Sequence, residues 1–397
     1  MKPSGRSLLL EHATALMLAA VLLWAAVPKL PTAEQPEPAT RLAHPLSGYL
    51  ENYRTEPWLC ALLGQSLRDG GSIILFGSSE LTSEDHPAKP VNFFNNELRV
   101  PLLALGHAGN QCRSIHAQLI AADAPLQHAR IAILLSPGWF LGRSAERGTE
   151  LEAFLEYQPS PSLYRIAARA AKGDTSIRPV TDYLLEHAHE LGAAQPVVKW
   201  LLRDATAAGR LRYFFAQPWD RWRIEASAAP MVSDPPMRSH LVEWAMPALD
   251  SVPWQDLFKR SRDEHLAACT NNSFFVNDHY YATYVQGGTK TIDAVPMEKS
   301  RELRDLKRLL GYLKQEGADP LFVLQPLNPY VYTNLHDADA TMDEVRELVE
   351  GHGFTLLNQW SSDPARFTPG VLTDVMHLGA LGWYQVDSAL MAHFKAP

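Results

Sequence analysis

Four apolar runs, each too short for an ordinary helix, restrict this chain to folds built around a buried sheet. They are Ser72–Phe76 (SIILF), Ile131–Leu135 (IAILL), Leu321–Leu324 (LFVL) and Phe354–Leu357 (FTLL), each flanked by structure breakers. Runs of this kind fit strands covered on both faces, as those of parallel sheets are. Helical patterns lie between them. The clearest spans Arg301–Gln315, with Leu303, Leu306, Leu310 and Leu313 along one face and Gly317 just beyond as a stop. A second covers Met342–Val349, ahead of the last run. Strands alternating with helices predict an α/β fold with a doubly wound parallel sheet. From about Ser160 to Cys269 the rhythm breaks, and helix-like pieces such as Val180–Leu191 and Pro196–Ala208 predict a mainly helical insertion, about 160–270.

The segment from Leu8 to Val27 is apolar except for Glu11, His12 and Thr14. With Glu11 and His12 at the headgroups it supplies the roughly 20 residues of a membrane span. Lys2 and Arg6 precede it, which places the N-terminus in the cytoplasm and the bulk of the chain outside. A cleavable signal peptide is the alternative, but AAVPKL is a poor small-x-small cleavage site. Pro31, Pro36, Pro38 and Pro45 in a polar setting read as a juxtamembrane linker. The expected organisation is an anchor at 1–30, a linker and lead-in at 31–70, and a catalytic domain at 71–397.

Composition narrows the function by exclusion. A net charge of −8 provides no basic surface for a nucleic acid. The 15 histidines form no HExxH and no cluster with cysteine, so neither a metal site nor a cofactor is expected. Cys60, Cys112 and Cys269 are sparse and odd in number, which favours buried thiols over a single bridge.

Two short motifs carry chemistry. Phe76-Gly77-Ser78-Ser79-Glu80-Leu81 follows the first run directly, and ligands of open α/β sheets bind beyond the carboxyl ends of strands. A serine on such a turn can expose its hydroxyl while nearby amides face a developing oxyanion. Taken alone, Ser78 or Ser79 reads more readily as a helix cap than as a nucleophile. Near the far end, Asp374 stands three residues before His377 and opens an amphipathic helix striped by Trp383, Val386, Leu390 and Phe394. In a helical turn that spacing lets the carboxylate hold one ring nitrogen, leaving the other to take a proton from a serine. A surface Asp/His pair is the alternative. Trp139, Asn328 and Tyr280 are candidates to line a substrate groove, with core or rim packing as the other reading of each.

The two motifs together resemble those of the SGNH (GDSL-type) hydrolases, and more closely those of the DltD family. The resemblance covers most of the body after the apolar segment. It rests on Gly77-Ser78-Ser79-Glu80 and on Asp374 to Trp383 (DVMHLGALGW). Between them, in order, stand His86-Pro87, Phe93-Phe94-Asn95, Gly106-His107-Ala108-Gly109-Asn110-Gln111, Ser136-Pro137-Gly138-Trp139-Phe140, Asn271-Asn272-Ser273-Phe274, Tyr280-Tyr281, Arg304-Asp305-Leu306 and Pro326-Leu327-Asn328.

The resemblance implies an SGNH-like fold, Ser79 as nucleophile with Ser78 as the alternative, and Asp374 and His377 as orienter and base. It also implies an oxyanion hole formed by the amides of Ser79 and Gly109. One departure stands out. The asparagine of the usual GxND block has no match, because Ser136-Pro137-Gly138-Trp139 occupies that region. Loss of one such donor typically costs ~10²–10³ in rate.

The implied activity is D-alanyl transfer from Ser79 to a hydroxyl of a cell-envelope polymer, a teichoic acid or equivalent glycan. The implied partners are a membrane-bound O-acyltransferase of the DltB type and, upstream, a D-alanyl carrier protein. An extracytoplasmic esterase or thioesterase, or a non-catalytic scaffold for the membrane partner, are the competing readings.

Overall fold

The computed structural model describes residues 12–19, 46–191 and 245–395, apart from 57, 70, 83, 84 and 172, together with 198, 202, 238 and 239. Seven strands form one sheet: β1 (Leu46–Tyr49), β2 (Ile73–Gly77), β3 (Leu102–Gly106), β4 (Arg130–Leu135), β5 (Arg238–Ser239), β6 (Leu321–Leu324) and β7 (Thr355–Asn358). Their order is β5-β1-β3-β2-β4-β6-β7, with β1, β3, β2, β4, β6 and β7 mutually parallel and β5 antiparallel on the β1 edge. The named helices are α1 (Leu59–Asp69), α2 (Cys112–Ala122), α3 (Ser160–Ala171), α4 (Arg178–Glu186), α5 (Trp254–Ala267), α6 (Arg301–Gln315), α7 (Asp339–Gly351) and α8 (Ala380–His393).

Alternate residues of the central strands feed two cores. Ile74, Phe76, Leu103, Leu105, Ile131 and Ile133 pack with residues of α1, α2, α3, α4, α6 and α7 on one face. Ile73, Leu75, Leu102, Ala104, Ala132 and Leu134 pack under α8, residues 91–94 and partly buried residues of α5 on the other. The sheet is therefore covered on both faces, which is why its central strands read as continuous apolar runs.

Helix α6 has the bounds its pattern predicts. The Ser300 hydroxyl accepts the Leu303 amide at 3.1 Å to start it, and Gly317 at φ +70° follows its end. Leu303, Leu306, Leu309, Leu310 and Leu313 are all buried, each worth roughly 1.5–3 kcal/mol against exposure. In α8, Trp383, Val386 and Leu390 are likewise buried, as is Phe394 just past its end.

The lead-in before residue 71 reaches further into the fold than its composition implies. β1 pairs with β3, and Trp58, Leu59, Leu62, Leu63 and Leu67 belong to the core. β3 itself is absent from the four apolar runs. The insertion is helical at α3, α4 and α5, while most of 192–244 lies outside the described residues; of the expected Pro196–Ala208 helix only Val198 and Leu202 are described, both as helix.

Of the expected anchor only 12–19 is described, as helix with Leu16, Met17 and Leu18 exposed. Among the described residues no helix is long and apolar enough to cross a membrane. All three cysteines are free thiols; Cys60 and Cys112 are buried, whereas Cys269 is half-buried.

Candidate active site

The chain runs from β2 to β3 on one side and then to β4 on the other, so β2 ends at a topological switch point, where α/β sheets bind ligands. Gly77 ends β2, and a single helical turn, Ser79–Thr82, begins at once. Ser79 thus sits at the first position of that turn, where an amide has no intrahelical acceptor. Its neighbours are buried: Ser78 is 4 % and Glu80 2 % exposed, whereas Ser79 is half-buried.

Asp374 and His377 lie in a bend rather than in the helical turn that their spacing implies. α8 starts only at Ala380. The Asp374 Oδ1 accepts the amides of Met376 at 2.8 Å and His377 at 2.7 Å, closing an Asx-type turn. Thr373 N donates to His377 O at 2.9 Å, and Leu372 bridges Leu378. Two glycines permit this crowding: a Cβ at Gly379 would meet Gly370 O at 2.5 Å, and one at Gly382 would run into Val371 O.

The structure brings the three side chains together. Asp374 Oδ2 lies 2.7 Å from His377 Nδ1, and His377 Nε2 lies 3.4 Å from Ser79 Oγ. An Asp374 carboxylate at Nδ1 favours the tautomer with the proton there, leaving Nε2 free to accept from serine. A 3.4 Å approach is at the long end of hydrogen-bond distance.

The electrostatics follow from these contacts. Burial pushes the Asp374 carboxyl up, but hydrogen bonds from His377 and the Met376 amide overcome it and hold the group below the usual carboxylate range. His377 moves up, chiefly through its bond to Asp374 and against the effect of burial.

A family model described as DltD protein matches residues 61–395. Protein DltD of Bacillus subtilis (strain 168) is 25 % identical over 362 residues, covering 84 % of this chain and 85 % of the relative. Protein DltD of Staphylococcus aureus (strain NCTC 8325 / PS 47) is 20 % identical over 332 residues, covering 81 % and 80 %. The chain belongs to the DltD family.

In this DltD-family chain the other expected site residues fall in different places. Gly109, at φ +87°, is the third residue of a turn closed by Asn110 N to His107 O at 3.0 Å. That turn abuts the serine turn: Ser78 Oγ donates to His107 O at 3.2 Å, and Asn110 Nδ2 donates to Gly77 O at 3.0 Å. Tyr280 lines a cleft of about 660 Å³ with Asp374, Thr373, Asn277, His86 and Glu264. Burial and the Asp374 charge push its phenol up to about 12. The cleft reaches the carboxylate end of the site; Ser79 and His377 are not among its lining residues.

Asn328 and Trp139 are not groove walls. Asn328 is wholly buried and braces loops: Nδ2 donates to Phe274 O at 2.9 Å, Oδ1 accepts Tyr330 N at 2.9 Å, and its amide donates to Val375 O at 3.0 Å. Trp139 is 5 % exposed and packs in the main core, 6.4 Å from the Phe140 ring. An aromatic in a loop motif looks alike in sequence whether it points inward or outward. Cys112 is buried against Glu302, whose carboxylate accepts its amide at 2.9 Å; burial raises the thiol well above its ordinary value. Among the described residues no group of His, Cys, Asp and Glu side chains converges as a metal site would require.

Proposed function

We propose that this chain is an SGNH-type serine acyltransferase, anchored in the membrane by its N-terminal segment, with its body on the extracytoplasmic side. The observation that carries the chemistry is the alignment Ser79 Oγ, His377, Asp374 at 3.4 and 2.7 Å. In this reading Ser79 Oγ attacks the acyl carbonyl while His377 Nε2 takes its proton. The oxyanion rests on the amides of Ser79 and Gly109, and Asp374 stabilises the imidazolium. The leaving group carries the proton away, and an acyl-Ser79 ester remains. An acceptor hydroxyl then gives its proton to His377, attacks that ester and regenerates the serine.

The family assignment supports D-alanyl as the acyl group and a teichoic acid or equivalent glycan as acceptor. It also supports a DltB-type O-acyltransferase as membrane partner, supplied through a D-alanyl carrier protein. Lys2 and Arg6 ahead of the apolar segment support a cytoplasmic N-terminus.

The test compares envelope D-alanine esters in cells carrying wild-type, Ser79→Ala and His377→Ala proteins. Both variants should lose the esters at normal protein levels. Unchanged esters in both would sink catalysis by this serine and favour a scaffold. Purified wild-type protein should react with a fluorophosphonate at Ser79. Release of free D-alanine rather than transfer, with donor and acceptor both supplied, would identify a hydrolase.

A further inference from the structure

Glu80 is a carboxylate placed where apolar packing would be cheaper, 2 % exposed behind the nucleophile turn. Its Oε1 accepts the Ser78 amide at 2.6 Å. It can fold back this far because residue 77 is glycine: a Cβ there would stand 2.6 Å from the same oxygen. The Ser78 hydroxyl donates onward to His107 O at 3.2 Å, so its proton is committed to a carbonyl and not to a base. Asn110, wholly buried, clamps the same pair of segments by donating to Gly77 O at 3.0 Å, and is itself held by Gln118 Nε2 at 2.7 Å. These links join residues 77–80 to 107–110, the two stretches that carry the amides of Ser79 and Gly109.

We propose that Glu80 and Ser78 are positioning residues for the serine chemistry. Glu80 holds the Ser78 amide and presents a second negative charge to His377, while Ser78 fixes the spacing between the Ser79 and Gly109 amides. The inference rests on the acyl-transfer reading above and adds to it a means of tuning the base.

The charges around His377 agree with this. Asp374 raises its basicity most, burial opposes, Glu80 raises it further and Lys89 lowers it. Lys89 is 2 % exposed, with Nζ donating to Leu81 O at 3.2 Å. Burial holds the Glu80 carboxyl above the ordinary carboxylate range, although the Ser78 amide and the His377 and Lys89 charges pull the other way. A proton arriving on His377 during attack therefore meets carboxylates from two elements, its own bend and the serine turn. A second carboxylate in that position stabilises the imidazolium that general-base catalysis creates.

The test is the rate of fluorophosphonate labelling of Ser79 in the full-length protein across pH, with melting temperature measured in parallel. Glu80→Gln keeps an acceptor for the Ser78 amide, removes the charge and turns the second carboxylate oxygen into a donor. Its half-maximal pH should fall, and by less than in Asp374→Asn, because Asp374 is the larger influence on His377. Ser78→Ala should leave that pH in place and lower the plateau rate by about tenfold, from a misplaced oxyanion donor. Lys89→Met, which removes the opposing cation, should move the half-maximal pH upward and carries the charge test if Glu80→Gln does not fold. A wild-type pH profile in the charge variants, or a wild-type rate in Ser78→Ala, overturns the corresponding half of the proposal. Absence of labelling in the wild-type protein would instead overturn the acyl-transfer reading beneath it.

Discussion

The two halves of the candidate site are built on different foundations. The serine turn grows out of β2, the central strand, whose five residues are all buried. The Asp374–His377 bend is held at its ends by Leu372 and Leu378 in the core under α8, but its middle rests on a small cluster of four buried valines, Val276, Val285, Val331 and Val375, from loops and one short helical stretch. Polar links do the rest there: Asn277 N to Thr373 O at 3.3 Å, Asn328 N to Val375 O at 3.0 Å, and the Asx turn of Asp374 itself. Local opening free energies follow local burial, so the base side should open well below the global unfolding free energy. Substitutions near the serine should therefore perturb the whole fold, while those near the histidine should disable chemistry with less loss of stability.

The sharpest test of that contrast is Asp374→Asn. Labelling of Ser79 should slow by about 10³–10⁴, as expected when the group orienting a catalytic imidazole loses its charge. The half-maximal pH should fall, because the carboxylate is the main cause of His377's raised basicity. Stability has its own signature. Asp374 sits below its ordinary range, so its contribution is present above its unfolded pKa of about 3.9 and is lost as acidification passes the folded value. His377 sits above its ordinary range, so its contribution is complete below about 6.5 and is lost as pH rises through the folded value. Wild type and Asp374→Asn should differ most in melting temperature between about pH 4 and 6.5. A constant difference from pH 3 to 9 would show that the ion pair does not hold the bend.

Gly109→Ala probes the other side. An alanine would have to adopt φ +87° with its Cβ 2.5 Å from that of Ala153. The conformational strain costs about 1–3 kcal/mol, and a displaced amide costs on the order of 10² in labelling rate. Because the turn is tied to β2 through Asn110, the melting temperature should fall along with the rate. Asn328→Ala should come next, with a rate loss of about tenfold. It leaves buried amide and carbonyl groups of the 274 and 330 segments without their partner, about 2–3 kcal/mol of destabilisation. Hydrogen exchange should locate the loosening at 274–285 and 372–378 and leave β2 protected; uniform loosening would erase the distinction between the two foundations.

What the sequence revealed of each half follows the same divide. α6 was legible because leucine stripe and terminal glycine agree, and the structure adds the Ser300 cap. β3 was not, since Pro101 before it and Gly106 at its end make LLALG resemble a loop, and pairing with β1 and β2 on both sides decides the matter. β1, four residues with Gly48 at φ 143°, likewise forms from its neighbours. In the site, the Asp374–His377 spacing was readable, but not the bend that realises it, because that depends on Gly379, Gly382 and Asn328 meeting from distant segments. Glu80 had a visible signal, an acid directly after the serine, whose burial only the fold reveals.

Tyr280→Phe should have the smallest effect and bears on the cleft alone. Tyr280 packs against the four-valine cluster and meets the Tyr284 ring at a tilt, 4.8 Å between centroids, contacts that phenylalanine keeps. What it removes is a hydroxyl in a cleft that reaches Asp374 but not Ser79. A small fluorophosphonate needs only the serine and its base, so its labelling rate should stay within about twofold, with melting temperature unchanged, as for replacements away from buried networks. If the cleft holds the polymer acceptor, transfer to that polymer should fall severalfold through KM, while labelling stays as it was. Loss of labelling would mean that the phenol acts on Asp374 directly, and the cleft would then belong to the base side of the site rather than to the acceptor.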